Sequence, residues 1–274
     1  MGLVFKMYAN ESKGAKLPSI EMKLGDAVDC DNPAYPVTGQ PPRFFTAPRL
    51  RDLYPEYLTD GKVLLCPSSA TASVDKLSSA ATGELTFYRN CQSTQEGVAL
   101  MDDSYHYYGY LLDKAGNNPD ELFDASSLLL KPSPAMASRQ VGAFVADLSY
   151  GFVGGAGYED EFIQSDGDWE FSSTVLSIVG STDFCGTGAT NTLYHLREGI
   201  ERFLITDINN AAASAQAQST VFVMWDKLST VPAAYNHVPG GSNVLYLDGH
   251  VGFEKYPGQP PVNAATAIFT GAFD

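Results

Sequence analysis

Residues 237–257 read His-Val-Pro-Gly-Gly-Ser-Asn-Val-Leu-Tyr-Leu-Asp-Gly-His-Val-Gly-Phe-Glu-Lys-Tyr-Pro. Two runs of strand formers flank Asp248-Gly249, the residue pair of a two-residue type I′ hairpin. Glycine takes φ > 0 without a Cβ clash, and aspartate tolerates it. A two-residue loop fixes the register. Tyr246 is therefore predicted to face Val251, and Val244 to face Phe253, in one apolar cross-strand cluster. Leu247 then faces His250, and Asn243 faces Glu254, on a mixed, half-exposed face. Gly249→Val is expected to cost roughly 1–3 kcal/mol, because it forces a β-branched residue to φ > 0.

Upstream of the hairpin, Thr220 to Trp225 reads as a strand and the alanine-rich run Ala211 to Gln218 as a helix. Thr192 to Ile205 reads as a stronger helix. Leu193, Leu196, Ile200, Phe203 and Leu204 make an apolar stripe, and Arg197–Glu201 and Glu198–Arg202 are spaced as i,i+4 pairs. Thr174–Val179 and the apolar run Val141–Leu148 read as strands, and Asp120–Leu130 as a helix ended by Lys131-Pro132. Ser104–Leu112 is a strand of aromatics. Alternation splits Tyr105 and Tyr107 from His106, Tyr108 and Tyr110, which favours core packing over a sugar-binding platform. Residues 30–48 hold five prolines and form an extended loop. Arg49–Leu58 reads as a short helix interrupted near Pro55, and Lys62–Leu65 as a short strand.

At 274 residues, with 44% hydrophobic and 18% charged residues, the chain is long enough for a sizeable core. A formal net charge of −15 repels phosphate backbones, so no nucleic-acid partner is expected. No run approaches the ~18 apolar residues of a membrane helix. Cys30, Cys66, Cys91 and Cys185 form no Cys-x-x-Cys pair. They allow two disulfides in an exported protein, with three connectivities, or buried thiols. Gly151–Gly157 lacks the lysine and helix opening of a phosphate loop.

At the other end, Val4, Met7 and Tyr8 recur at helical spacing, Leu3 and Phe5 broaden the stripe, and Gly14 is a natural stop. Four stretches together resemble a large group of bacterial prepilin-like proteins, relatives of type IV pilins and type II secretion pseudopilins. One is "Phe-Lys-Met-Tyr-Ala-Asn-Glu" at the start. A second is "Leu-Tyr-Pro-Glu-Tyr-Leu" followed by Cys66-Pro67-Ser68. A third is "Leu-Arg-Glu-Gly-Ile-Glu-Arg-Phe-Leu-Ile-Thr-Asp-Ile-Asn-Asn" within 196–210. The fourth is the C-terminal pattern of His237, Gly240-Gly241, Asn243-Val244-Leu245 and Asp248-Gly249-His250. That pattern resembles a His–x(9)–Asp-Gly signature, except that ten residues separate His237 from Asp248, with Pro239 as the extra one.

The resemblance implies an α+β, pilin-like head: an N-terminal helix packed on an antiparallel β-sheet, with large insertions. Residues 1–14 would be the end of a truncated pilin-type helix, and 15–274 a single head. It implies a structural role in a pilus or pseudopilus, at the cell surface or in the periplasm. Partners would be the chain itself or other pilin-like subunits. An inner-membrane anchor would be carried by a helix segment upstream of Met1. No enzymatic activity is expected. The rival is an extracellular metal- or carbohydrate-binding module, or a metal-dependent hydrolase, on the same head.

Two constellations carry metal chemistry. Asp226, His237, Asp248 and His250 converge if the strand at 220–225 lies beside the hairpin, and two His with two Asp suit zinc. The structural reading, with the histidines bonding loop carbonyls and Asp248 serving the turn, outweighs it. Ser165-Asp166-Gly167-Asp168-Trp169-Glu170 gathers oxygens around a glycine, and Asp166, Asp168 and Glu170 are the candidate calcium ligands. The resemblance adds weight to that ion, since pseudopilins as a group often use calcium to fix a loop of the head. A solvated acidic loop is the competing reading.

Overall fold

Helix α1 (Gly2–Glu11) forms because its ten residues hold no helix breaker beyond Gly2 and carry an apolar stripe. No side chain caps its start. It ends at Ser12, whose amide donates to the Tyr8 carbonyl at 2.9 Å, and Gly14 follows at φ 81°. Phe5 and Ala9 are its buried residues. The Phe5 ring lies 5.3 Å from that of Tyr107. Burying one such side chain contributes about 2 kcal/mol, which holds α1 to what lies beneath it.

The computed structural model describes residues 1–23, 27–28, 36–37, 43–78, 85, 98–132, 134–154, 164–180, 185–188, 190–205, 211–238 and 240–270. After α1 come β1 (Ile20–Lys23), β2 (Ala27–Val28), β3 (Pro36–Val37) and β4 (Arg43–Pro48). β1 pairs with β4, and β2 with β3. Next are α2 (Ala99–Asp102), β5 (Tyr105–Tyr107), β6 (Leu122–Asp124), α3 (Ser126–Leu129), β7 (Met136–Ser138) and α4 (Arg139–Gly154). The chain continues through β8 (Trp169–Glu170), α5 (Ser173–Val179), β9 (Thr192–Leu193) and α6 (Ala211–Gln218). It closes with β10 (Phe222–Asp226), β11 (Gly241–Tyr246), β12 (Val251–Lys255) and α7 (Ala264–Thr270).

The central sheet runs β12-β11-β10-β5, antiparallel throughout. Alternation along β11, and along β10 a register shift between Phe222 and Met224, send side chains to two cores. Phe222, Trp225 and Val244 join Tyr108, Tyr110, Phe144 of α4 and Trp169 in one. Val223, Leu245 and Leu247 join Phe5, Leu50, Tyr107 and Ile200 in the other. Rings lock the first core edge to face: Phe144 stands 5.2 Å from Trp169 at 88° and 5.9 Å from Tyr108 at 87°. The fold is α+β, with the N-terminal helix on an antiparallel sheet.

Several local expectations give way to tertiary context. The hairpin loop has three residues, Leu247 to Gly249, with Gly249 at φ 95°. This is a turn closed by a left-handed glycine, the next commonest hairpin after the two-residue one. The register therefore differs by one from the two-residue expectation. Leu245 faces Val251, Val244 faces Gly252 and Asn243 faces Phe253. The expected apolar cluster does not form: Val251 is 61% and Phe253 54% exposed on edge strand β12.

Val141–Leu148 is helical, inside α4, where Ser138 Oγ accepts the Val141 amide as a cap. A short apolar run lacks the period that would separate helix from strand. The helix expected over 192–205 is instead a ribbon. Trp169 pairs with Leu193, Tyr110 with His195, and Lys16 with Arg197. Gly199 then turns at φ 81° into a single 3-10 turn, Ile200–Phe203. Ion pairing follows the ribbon: Arg197 reaches Asp168 at 3.7 Å, while buried Glu201 accepts from Ser214 at 2.8 Å. Residues 174–179 are helical, 122–124 are a strand, and 49–58 and 62–65 hold only 3-10 turns. The aromatic strand stops at Tyr107, two residues before Gly109 at φ 79°.

Candidate functional site

Asp226 ends β10, opposite Tyr105 of β5. Its Oδ2 accepts from the Asn243 backbone amide at 2.7 Å and from Asn243 Nδ2 at 2.8 Å, so β11 fixes the carboxylate. The Tyr105 hydroxyl donates to the Leu65 carbonyl at 3.2 Å, which draws Cys66 toward the same strand end. The loop after β10 is tied down by Lys227, bonded to Asp103 at 3.1 Å, and by Asn236, bonded to the Ser104 carbonyl at 2.9 Å. It carries His237 back over Asp226. His237 Nε2 sits 3.0 Å from Asp226 Oδ2 and 3.4 Å from Cys66 Sγ. Cys66 and Asp226 are buried, and the His237 side chain is 23% exposed. Among the described residues, these form the one group of three His, Cys, Asp or Glu donors within mutual ligand distance.

The geometry restricts the chemistry. A cysteine–histidine–carboxylate relay needs the thiol at one ring nitrogen and the carboxylate at the other. Here both face the same nitrogen, Nε2. Burial pushes the Cys66 thiol up and the charge of Asp226 adds to that, while the Ser68 and Ser69 amides pull the other way. A buried thiol held protonated is a poor nucleophile. What the three side chains offer together is a sulfur, a nitrogen and an oxygen aimed at a common point.

Of the four residues expected to converge, Asp226 and His237 meet, and Asp248 and His250 form a separate pair at the hairpin tip. His250 Nδ1 lies 2.6 Å from Asp248 Oδ1, and its ring stacks on Tyr246 at 4.4 Å and 6°. Burial alone would raise the Asp248 carboxyl, but the His250 amide and ring hold it below the usual value. His237 bonds side chains rather than the loop carbonyls expected of it. Cys66 was legible only as a cysteine before a proline; it lies 171 positions from His237, and no spacing rule spans that. It is a free thiol, so two disulfides do not form. Cys30 and Cys91 lie outside the described residues.

The calcium-loop candidates Asp166, Asp168 and Glu170 do not come within mutual ligand distance as a group of three. Asp166 accepts from Arg49 at 2.6 Å and from Ser19 at 2.8 Å. Asp168 accepts the His195 amide at 2.9 Å. Glu170 is exposed in β8. A cation at Asp166 would compete with the Arg49 guanidinium. The tyrosines of 107–110 are buried and present no platform. A cleft of about 460 Å³ opens between Leu112, Phe222, Tyr246 and Pro260. Its carboxylates, Asp113 and Glu254, have no histidine or cysteine beside them in the lining. Among the described residues, no helix is long and apolar enough to cross a membrane. Compared with family models, curated proteins and solved structures, the chain matches none.

Proposed function

We propose that this chain is a structural subunit that works by association: the head of a type IV pilus or type II secretion pseudopilus-like assembly at a bacterial cell surface. Helix α1 carries the reading. It is held to the sheet by Phe5 and Ala9, and it leaves Leu3 75% and Met7 42% exposed. In pilin-type filaments the N-terminal helices pack together and the heads decorate them. A helix half buried on its own head and apolar on its free side suits that arrangement. The exposed Val251 and Phe253 on edge strand β12 add a second apolar strip for a neighbour. The single-nitrogen geometry of Cys66, Asp226 and His237 argues against a cysteine-nucleophile relay among them.

Cysteine cross-linking tests the role. Leu3→Cys or Met7→Cys, oxidised in cells making the protein, should trap a second copy or a pilin-like neighbour. Leu3→Glu/Met7→Glu should lose that association without lowering the melting temperature, because both side chains are exposed. Absence of cross-links at both positions overturns the reading. So does metal-dependent turnover abolished by His237→Ala.

A further inference from the structure

We propose that Cys66, Asp226 and His237 bind a divalent cation of the zinc class, with a fourth position open to solvent. This goes beyond the association role and stands independently of it. The distances fit. With Zn–S of about 2.3 Å and Zn–N or Zn–O of about 2.05 Å, a tetrahedral site puts sulfur and nitrogen about 3.6 Å apart, and nitrogen and oxygen about 3.3 Å apart. The observed separations are 3.4 Å and 3.0 Å, and all three donor atoms lie within 4.8 Å of one another. A small contraction of that kind is what hydrogen-bond contact produces where a metal would hold the same atoms slightly apart.

Without a metal, the Cys66 thiol and the His237 ring both turn to the Asp226 carboxylate. One imidazole nitrogen offers either one proton or one lone pair. It cannot serve Cys66 and Asp226 fully at once. A cation takes the Nε2 lone pair, the thiolate and the carboxylate together. The surroundings are prepared for that: both Asn243 donors orient the Asp226 carboxylate, and the Ser69 amide, donating to the Cys66 carbonyl at 3.0 Å, fixes the turn that carries the sulfur. The mixed donors exclude the all-oxygen preference of calcium and magnesium and suit zinc. The 23% exposure of the His237 side chain gives an ion a route in from solvent. Bound there, it would pin the loop after β10 to the turn at Cys66-Pro67.

The test uses the purified chain with zinc or cobalt(II) chloride. One equivalent of zinc should bind and raise the melting temperature. Cobalt(II) should give the thiolate-to-metal charge-transfer absorption in the near ultraviolet. His237→Ala should weaken binding by at least about 100-fold. Cys66→Ser should abolish the charge-transfer band. His250→Ala should change neither, and excess calcium should not compete. If Cys66→Ser does not fold, the band in the unaltered protein still reports the thiolate, and His237→Gln decides. Absence of saturable binding, binding unchanged in His237→Ala, a cobalt complex without the band, or loss in His250→Ala each overturns the proposal.

Discussion

Two glycines of one hairpin are required for different reasons, and the difference is measurable. Gly241 begins β11 at φ 151°, and a Cβ there would sit 1.9 Å from the Glu254 carbonyl oxygen. Gly249 has φ 95° with nothing within 4 Å of its missing Cβ. Gly249→Ala therefore pays left-handed strain alone, about 1–2 kcal/mol. Gly241→Ala must push two strands apart and should cost about 3 kcal/mol or more. Urea midpoints of the two variants should fall in that order; the reverse order would show that the register around Gly241 is wrong. Histidines give the second residue-scale prediction. Burial pushes His106 down to about 3, with Lys227 adding to it, and burial pushes His195 down to about 4. The unfolded chain takes up these protons below about pH 6.5, and the folded chain refuses them until pH 4 or lower. Their contribution is complete above pH 6.5 and is lost as pH falls, by roughly 2 kcal/mol each at pH 5. Asp102, raised by burial, works in the opposite sense. Comparing the unaltered protein with His195→Asn isolates one histidine: the variant should lose less stability between pH 7 and pH 5. Equal losses would mean that His195 is not buried neutral.

At the scale of elements, Arg49 joins the end of β4 to the loop before β8. Its guanidinium donates to Asp166 Oδ1 at 2.6 Å and to Ser165 Oγ at 2.9 Å. The Asp166 side chain is 57% exposed, so solvent discounts the pair from its fully buried value. Arg49→Met should destabilise by about 2 kcal/mol and Asp166→Asn by about 1 kcal/mol, with coupling near 1 kcal/mol in a double-mutant cycle. Additive losses would remove the pair as the tie between these elements. That tie also explains what the sequence could and could not tell. From the sequence alone an Asp-Gly-Asp run offers its oxygens to a metal; the Arg49 partner of Asp166, 117 positions away, is not legible there. The helix at 2–11, the alanine-rich helix at 211–218 and the strands of 222–255 were legible because local period and turn chemistry decide them. The hairpin register was not, since Asp-Gly fits both a two-residue and a three-residue loop. Nor was 192–197, whose helical stripe was overruled by pairing partners at 16–17, 109–111 and 169–170. The candidate site was half legible: Asp226 and His237 belonged to the expected group, and Cys66 entered only through the sheet register of Tyr105.

For the whole molecule, the opposing forces on association are an apolar strip and a net charge of −15. At physiological ionic strength the Debye length is about 8 Å, so two such molecules in contact repel by on the order of 1 kcal/mol. At low salt the screening length roughly triples or more, and the repulsion rises several-fold. Burying Leu3 and Met7 together against a neighbour is worth about 2–4 kcal/mol before the cost of ordering the partners. The two effects are close enough for salt to decide which wins. Light scattering of concentrated protein should show net repulsion at low salt and weak attraction at and above physiological salt. Leu3→Glu/Met7→Glu should keep the repulsion and lose the attraction. If attraction persists in that variant, the contact lies elsewhere, and the exposed Val251 and Phe253 of β12 become the surface to alter next. If repulsion persists at high salt in the unaltered chain, charge is not what restrains it and the association role fails at this scale.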